Sequence, residues 1–293
     1  MESYTNVVFY NNFHNGDVHL CREFVKYIIK NIKAENYYFL HPNSSRLLLD
    51  IIDTEPPLEI SQRGPDLKID ANVMIFDEDL YINTWIGRYG PRPFGCTLDV
   101  YYRSFEATVK ELDLPPLASM ESYIPVIDFT PFQTDAVDEY MNTRPVDELK
   151  IFICNSDCHS GQAVNFDMSP AINKLCEMYP EVLFLVTNES CTLDLNLLNL
   201  KYTRDVIKLD SCDLPENGYV STYCDIIVGR CSGAFCFAIL QQNLNKPIIS
   251  FTKMKFEGLW LTPIRENHIH STSADFNTVI DIVSAEISKK IKH

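Results

Sequence analysis

A two-part α/β fold is the expectation for this chain, and three observations carry it. Short apolar runs alternate with amphipathic segments, the pattern of parallel strands joined by crossover helices. The alternation stops in a proline-punctuated, acidic stretch at 114–149 and restarts at 150. The 293 residues suffice for two domains of ordinary size, each with its own core.

The first half opens with a strand at 6–10 (NVVFY). A helix is expected over 18–33, because Cys21, Phe24, Val25, Ile28, Ile29 and Ile32 step by three and four. A strand at 37–40, a short helix at 44–52 and a loop from 52 to 66 with a Pro-Pro pair follow. Strands at 73–76 and 80–85 and a helix at 97–112 complete the half.

The junction is expected between Val137 and Leu149, among the prolines and acids. In the second half, strands are expected at 150–154, 182–187, 205–209, 225–228 and 247–251. One helix ends near Tyr179 and another spans 232–241. The last helix, 274–291, places Phe276, Val279, Ile280, Val283 and Ile287 on one face, with Lys289 and Lys290 where the helix dipole favours cations.

Charge and composition exclude several functions. Lys and Arg number 25 against 40 Asp and Glu, a net charge of −15. Such a surface lacks the basic face that nucleic acid or an anionic membrane requires. No apolar run approaches the ~20 residues that span a bilayer. The N-terminus has no basic, apolar leader pattern. Ten cysteines form no CxxC pair, and many sit in apolar periodic segments, where a thiol acts as a small hydrophobe. Reduced thiols and a cytoplasmic location are the expectation.

In open α/β sheets, ligands bind outside the carboxyl ends of strands, near helix N-termini. That rule selects the loops 13–19, 155–162 and 230–235. Within the first lie His14, Asn15, Gly16, Asp17 and His19; Ser160, Gly161 and Gln162 lie in the second, and Arg230, Ser232, Gly233 and Ala234 in the third.

These loops carry a resemblance. The segment NGDVHLCREFV is similar to the N-terminal Gly-Asp motif of the heptosyltransferase-like GT-B glycosyltransferases. The segment CDIIVGRCSGAFCFAILQQNLNKPIISF resembles that family's second landmark, with Ser232 and Gly233 matching its hydroxyl and glycine and Lys246 and Pro247 its closing pair. Cys231 stands where the family has Asp, and Cys236 near a position where it often has His.

The resemblance implies two Rossmann-like domains in tandem facing a cleft. Residues 1–140 would take the acceptor, and 141–273 the nucleotide-sugar donor. The helix 274–293 in such enzymes often crosses back to the first domain. The implied reaction moves a sugar from a nucleotide-diphosphate donor to a glycan or other hydroxyl acceptor. No bound cofactor or metal is implied, the nucleotide sugar being a co-substrate. Asp17 takes the role of general base, removing the proton of a weakly nucleophilic hydroxyl; the plainer reading makes it only a helix N-cap. The donor side gathers Ser160, Gly161, Gln162, Arg230, Ser232, Gly233, Ala234 and Lys253. Glycine there lets a diphosphate approach backbone N–H groups. The acceptor side gathers His14, Asn15, Gly16, His19, Trp85 and Arg88, with Trp85 offering a ring to a sugar face.

Three rival readings remain open. A non-catalytic nucleotide- or sugar-binding protein fits the departures at Cys231 and Cys236. An epimerase-like enzyme shares the double scaffold. The strand 73–76 followed by Asp77-Glu78-Asp79 resembles the metal motif of GT-A enzymes, in which Asp77 and Asp79 would hold a divalent cation; an acidic hairpin turn is the favoured reading, because the GT-A one leaves the second α/β half after residue 150 without a purpose. His268 and His270 lack a third metal ligand at suitable spacing, and a surface loop is the expectation for them.

Overall fold

The computed structural model describes residues 4–42, 45–64, 67–68, 70–85, 95–158, 163–188, 190, 192–194, 196–209, 213–230, 232–251, 253–254, 259–260 and 265–291. The chain divides into two compact units, Met1–Pro131 and Phe132–His293.

In the first unit, β1 (Tyr4–Tyr10) is central. It pairs in parallel with β2 (Ala34–Leu40) on one side and β4 (Asp79–Asn83) on the other. Its run from Val7 to Tyr10 is wholly buried, as expected of a strand covered on both faces. The expected first helix is broken at Cys21 into α1 (Asn15–Leu20) and α2 (Arg22–Asn31). Phe24 of α2 stacks on Phe105 of α4 (Thr97–Glu111) and on Tyr123, with centroids 4.4 and 4.5 Å apart. The expected loop at 52–66 contains one further short helix, α3 (Leu58–Gln62).

The strand β3 (Val73–Phe76) is antiparallel to β4, with Phe76 opposite Asp79. Asp77 and Glu78 therefore form a two-residue hairpin turn, and Asp77 has a positive φ of 53°, usual in such turns. Asp79 accepts a hydrogen bond from Asn6 Nδ2 at 2.7 Å. It lies where β4 begins, at the edge opposite the carboxyl ends of β1 and β4. The acidic triplet is thus a turn on the sheet edge where α/β folds do not bind ligands, and the GT-A reading of Asp77 and Asp79 is set aside.

The second unit begins with α5 (Asp135–Asn142), so the proline-rich acidic stretch is shared between the units. Six parallel strands follow: β5 (Lys150–Cys154), β6 (Leu183–Val186), β7 (Leu200–Tyr202), β8 (Ile226–Gly229), β9 (Ile248–Phe251) and β10 (His268–Ser271). Their spatial order is β10-β9-β8-β5-β6-β7. That is the order of a Rossmann sheet, with its reversal between β5 and β8.

Two expectations are corrected here. The apolar run at 205–209 is not a strand: residues 200–202 form β7, and α7 (Thr203–Ile207) follows directly. Short apolar runs carry no period that separates helix from strand. His268 and His270 belong to β10, hydrogen-bonded along β9, rather than to a loop. Helix α8 (Leu214–Thr222) lies before β8.

The core joins α6 (Ser169–Met178) and α10 (Phe276–Ile291) to this sheet. Val279, Val283 and Ile287 pack among Ile172, Leu175, Cys176, Ile226 and Val228. The C-terminal helix is therefore built into the core of the second unit. Phe276, expected on the same stripe, is exposed. Asp275 receives the Thr278 N–H at 3.0 Å and caps the helix. Cys21, Cys154, Cys158, Cys176, Cys224 and Cys236 are free and buried. No helix among the described residues is long and apolar enough to cross a membrane.

Candidate functional site

In the first unit, the carboxyl ends of β1 and β4 lie side by side, Tyr10 opposite Asn83. Each releases its chain through an asparagine turn. Asn11 Oδ1 accepts the Phe13 N–H at 2.9 Å, and Asn83 Oδ1 accepts the Trp85 N–H at 2.9 Å. Such side-chain bonds two residues on reproduce a backbone turn. The two turns are joined: Thr84 N and Oγ1 donate to Tyr10 O at 2.9 and 3.1 Å, and the Phe13 and Trp85 rings stack at 4.0 Å.

Helix α1 starts from this platform. His14 occupies the N-cap position without a side-chain cap bond. Asp17 is the third helical residue, its N–H donating to His14 O at 3.0 Å. The plain N-cap reading of Asp17 is therefore displaced by one turn of geometry. Burial pushes the Asp17 carboxyl up to about 6, against the hydrogen bond from Tyr101 and the charge of His14, which lower it. The residue as a whole is partly exposed. Burial also lowers His41 to about 4, with a backbone bond to Phe13 opposing and His14 adding to the effect. Asn11 is fully buried, and its Nδ2 has no partner among the described residues. Of the other acceptor-side residues, His14 is exposed, Asn15 and Trp85 are partly exposed, and Gly16 is buried. His19 is fully buried inside the unit. Arg88 lies outside the described residues.

In the second unit, a cavity of about 470 Å³ opens at the reversal of strand order. Asn155 and Asp157 follow β5, Asn188 and Ser190 follow β6, and Arg230 follows β8. Asn155 ties two strand ends together: its Nδ2 donates to Asn188 O and its Oδ1 accepts the Asn188 N–H, both at 2.8 Å. Arg230 is almost wholly buried. It donates to the carbonyls of Ser156 (3.1 Å), Asn155 and Phe166, pairs with Asp157 at 3.0 Å, and lies over the Phe166 ring. It holds the cavity wall together.

Gly229, at the end of β8, is the glycine this wall demands. A Cβ there would stand 2.4 Å from Phe235 Cδ2 and 2.8 Å from Cys154 Cβ. Its absence lets α9 (Gly233–Ala238) fold down against the strand. Ser232 caps α9, its Oγ accepting the Phe235 N–H at 3.5 Å. Gly233 is partly exposed and Ala234 buried. The backbone of Lys253 pairs with Val164 in a two-residue antiparallel ribbon. Ser160, Gly161, Gln162 and Cys231 lie outside the described residues. Asn188 and Asp167, which also line the cavity, escaped the sequence reading. An Asp two residues before Ser-Pro is a helix-start signal that points to Asp167; Asn188 carries no comparable signal.

No protein-family model matches the chain, and no curated protein matches it in sequence. Solved structures do match in fold. The E. coli ADP-heptose LPS heptosyltransferase II is 11% identical, with a TM-score of 0.52 over 98% of this chain and 97% of that one. The E. coli heptosyltransferase WaaC solved with ADP is 11% identical, with a TM-score of 0.51 over 97% and 99%. The chain thus has, from end to end, the tandem Rossmann-like fold of these GT-B-type proteins.

Proposed function

We propose that this protein is a glycosyltransferase that moves a sugar from a nucleotide-diphosphate donor to a hydroxyl acceptor. The observation that carries the reading is the cavity at the switch point of a six-stranded Rossmann sheet, in a chain that shares its whole fold with enzymes named for ADP-heptose. In this reading the second unit takes the donor, with Ser232, Gly233 and Ala234 on the phosphate side, and the first unit supplies the base.

The acceptor oxygen forms a bond to the anomeric carbon as the bond from that carbon to the diphosphate oxygen breaks. The nucleoside diphosphate leaves with the bonding pair, and the acceptor's proton passes to Asp17. A carboxyl held near 6 is ionised at neutral pH and is a stronger base than an ordinary aspartate. His41, held neutral by burial, adds no positive charge that would weaken it. Leaving-group charge is met by N–H groups and basic side chains.

The test is release of nucleoside diphosphate from a panel of nucleotide sugars, with and without EDTA. Turnover that persists in EDTA supports the reading. Loss of turnover rescued by manganese would overturn the metal-independent mechanism. Donor binding without turnover on any acceptor would leave a binding protein on the same scaffold.

A further inference from the structure

Among the described strands, the two main sheets end in β2, β3, β7 and β10, and three of these edges carry polar or charged residues. β2 presents Glu35 and Asn36, both exposed. β7 is three residues long with Lys201 exposed at its centre, and β10 holds His268, His270 and Ser271. Charge and short length are what keep an edge from pairing with a foreign strand. The remaining edge, β3, runs Val73-Met74-Ile75-Phe76, with no polar side chain and every residue at least partly exposed. Ile75 is 57% exposed.

The backbone of β3 faces two ways. Asn72 O accepts the Asn83 N–H at 2.9 Å, and Phe76 opposite Asp79 closes the hairpin. Bonded residues alternate along an antiparallel pair, so Asn72, Met74 and Phe76 turn their N–H and C=O groups to β4. Those of Val73 and Ile75 point outward, along an apolar edge. The side chains of Val73 and Ile75 share one face, while Met74 and Phe76 pack toward Tyr10, Tyr38 and Tyr81 on the other.

Both ends of this edge are acidic. Asp70 precedes it, Asp77 and Glu78 follow it, and Asn72 Nδ2 donates to Glu111 at 2.8 Å. Lys68 and Arg63 offset part of this charge, Arg63 lying 3.5 Å from Asp77. A second copy of the chain fits poorly here. Antiparallel self-pairing sets Asp70 against Asp77 and Glu78, parallel self-pairing sets each against its like, and like charges across a seam repel. The net charge of −15 adds to that repulsion. The edge instead suits an extended segment with β-branched apolar residues at two alternate positions, beside Val73 and Ile75, and with lysine or arginine at both ends.

We infer that the outer edge of β3 docks an extended, basic-flanked segment of another protein, which adds to the first sheet as a further antiparallel strand. This surface is independent of the transfer reaction, and its failure leaves that reading standing.

The probe is a fluorescein-labelled peptide, Lys-Lys-Val-Thr-Ile-Lys-Lys, followed by anisotropy with the full chain. It is expected to bind more tightly than about 1 mM. Amide exchange should show new protection at Val73 and Ile75 and none added at Met74 and Phe76, whose N–H groups already face β4. N-methylation of the peptide's valine and isoleucine keeps charge and side chains but removes the donors. It should weaken binding at least about tenfold, the scale of two lost backbone bonds. Ile75→Lys should weaken binding by at least about the same factor, because an edge lysine repels an incoming strand; a melting curve checks that this exposed position leaves folding intact. No binding at about 1 mM would overturn the inference. So would equal binding of the N-methylated peptide, of a peptide with glutamates for lysines, or by Ile75→Lys. A concentration-dependent dimer of the chain that Ile75→Lys dissociates would also overturn it, by giving the edge to a second copy.

Discussion

The two units place polar groups at the same topological position and treat them in opposite ways. At the switch point of the second unit, described polar groups satisfy one another: Asn155 is bonded to Asn188, Arg230 to three carbonyls and Asp157, and Asp167 to Ser169 and Thr192. At the first, a carboxyl is held near 6 by burial and the Nδ2 of Asn11 has no partner among the described residues. Satisfied networks give rigid walls, suited to binding. Perturbed, under-satisfied groups cluster where chemistry is done. The difference supports a division of labour between a reactive first unit and a recognising second one.

Removing α10 breaks the comparison most severely. Truncation after Ser273 deletes Val279, Val283 and Ile287, all essentially without exposure. Each such loss costs about 2–5 kcal/mol, and together they are as large as the whole marginal stability of a typical domain, roughly 5–15 kcal/mol. Hydrogen exchange should show protection lost in the strands of the second unit and kept in β1 and β4. Retained protection throughout would mean that α10 is dispensable.

Asp17→Asn removes the proposed base and preserves shape. Turnover should fall by about 10²–10⁴-fold, the usual worth of a positioned base, with diphosphate affinity in titration unchanged. Near-normal turnover in a folded variant would return the reactive role to His14, the exposed neighbour.

Gly229→Ala probes the wall of the second unit. The new methyl would meet Phe235 and Cys154 at distances no real Cβ adopts, so α9 must shift at a cost of about 1–3 kcal/mol. A lowered urea midpoint with unchanged slope is the expected result. An unchanged midpoint would show the wall to be less rigid than its bonds imply.

Much of this fold was legible in the sequence because parallel strands announce themselves. Residues 151–154 and 226–228 are unbroken apolar runs, as strands covered on both faces must be. The amphipathic stripe of α10 was equally plain. What escaped depends on partners distant in the chain. Gly233 draws attention because it opens a helix, yet the glycine fixed by packing is Gly229, whose neighbours arrive from β5 and α9. Arg230 reads as a free phosphate cation because the carbonyls that hold it have no sequence signature. Asp17 draws attention in the sequence by its place after β1. Its raised proton affinity has no such signal, since that arises from burial beside Tyr101 of α4, far along the chain.

The finest test of the contrast is the pH dependence of stability. Asp17 is raised from an ordinary 3.8 to about 6 in the folded protein, so the folded state holds this proton more tightly than the unfolded chain does. Its favourable contribution is complete below about pH 4 and is lost as the pH rises through 6. Two pH units correspond to about 3 kcal/mol at 1.36 per unit; partial contact with solvent reduces this to roughly 1–2 kcal/mol. Asp17→Asn has no such titration. Urea midpoints at pH 4, 5, 6 and 7 should therefore show the variant gaining on the wild type by that amount, with most of the change between pH 4 and 6. Tyr101→Phe in the wild-type background should widen the interval upward, because the Tyr101 hydroxyl favours the charged carboxylate. A difference independent of pH would mean that Asp17 is solvated like any surface aspartate, and the contrast between the two switch points would lose its electrostatic half.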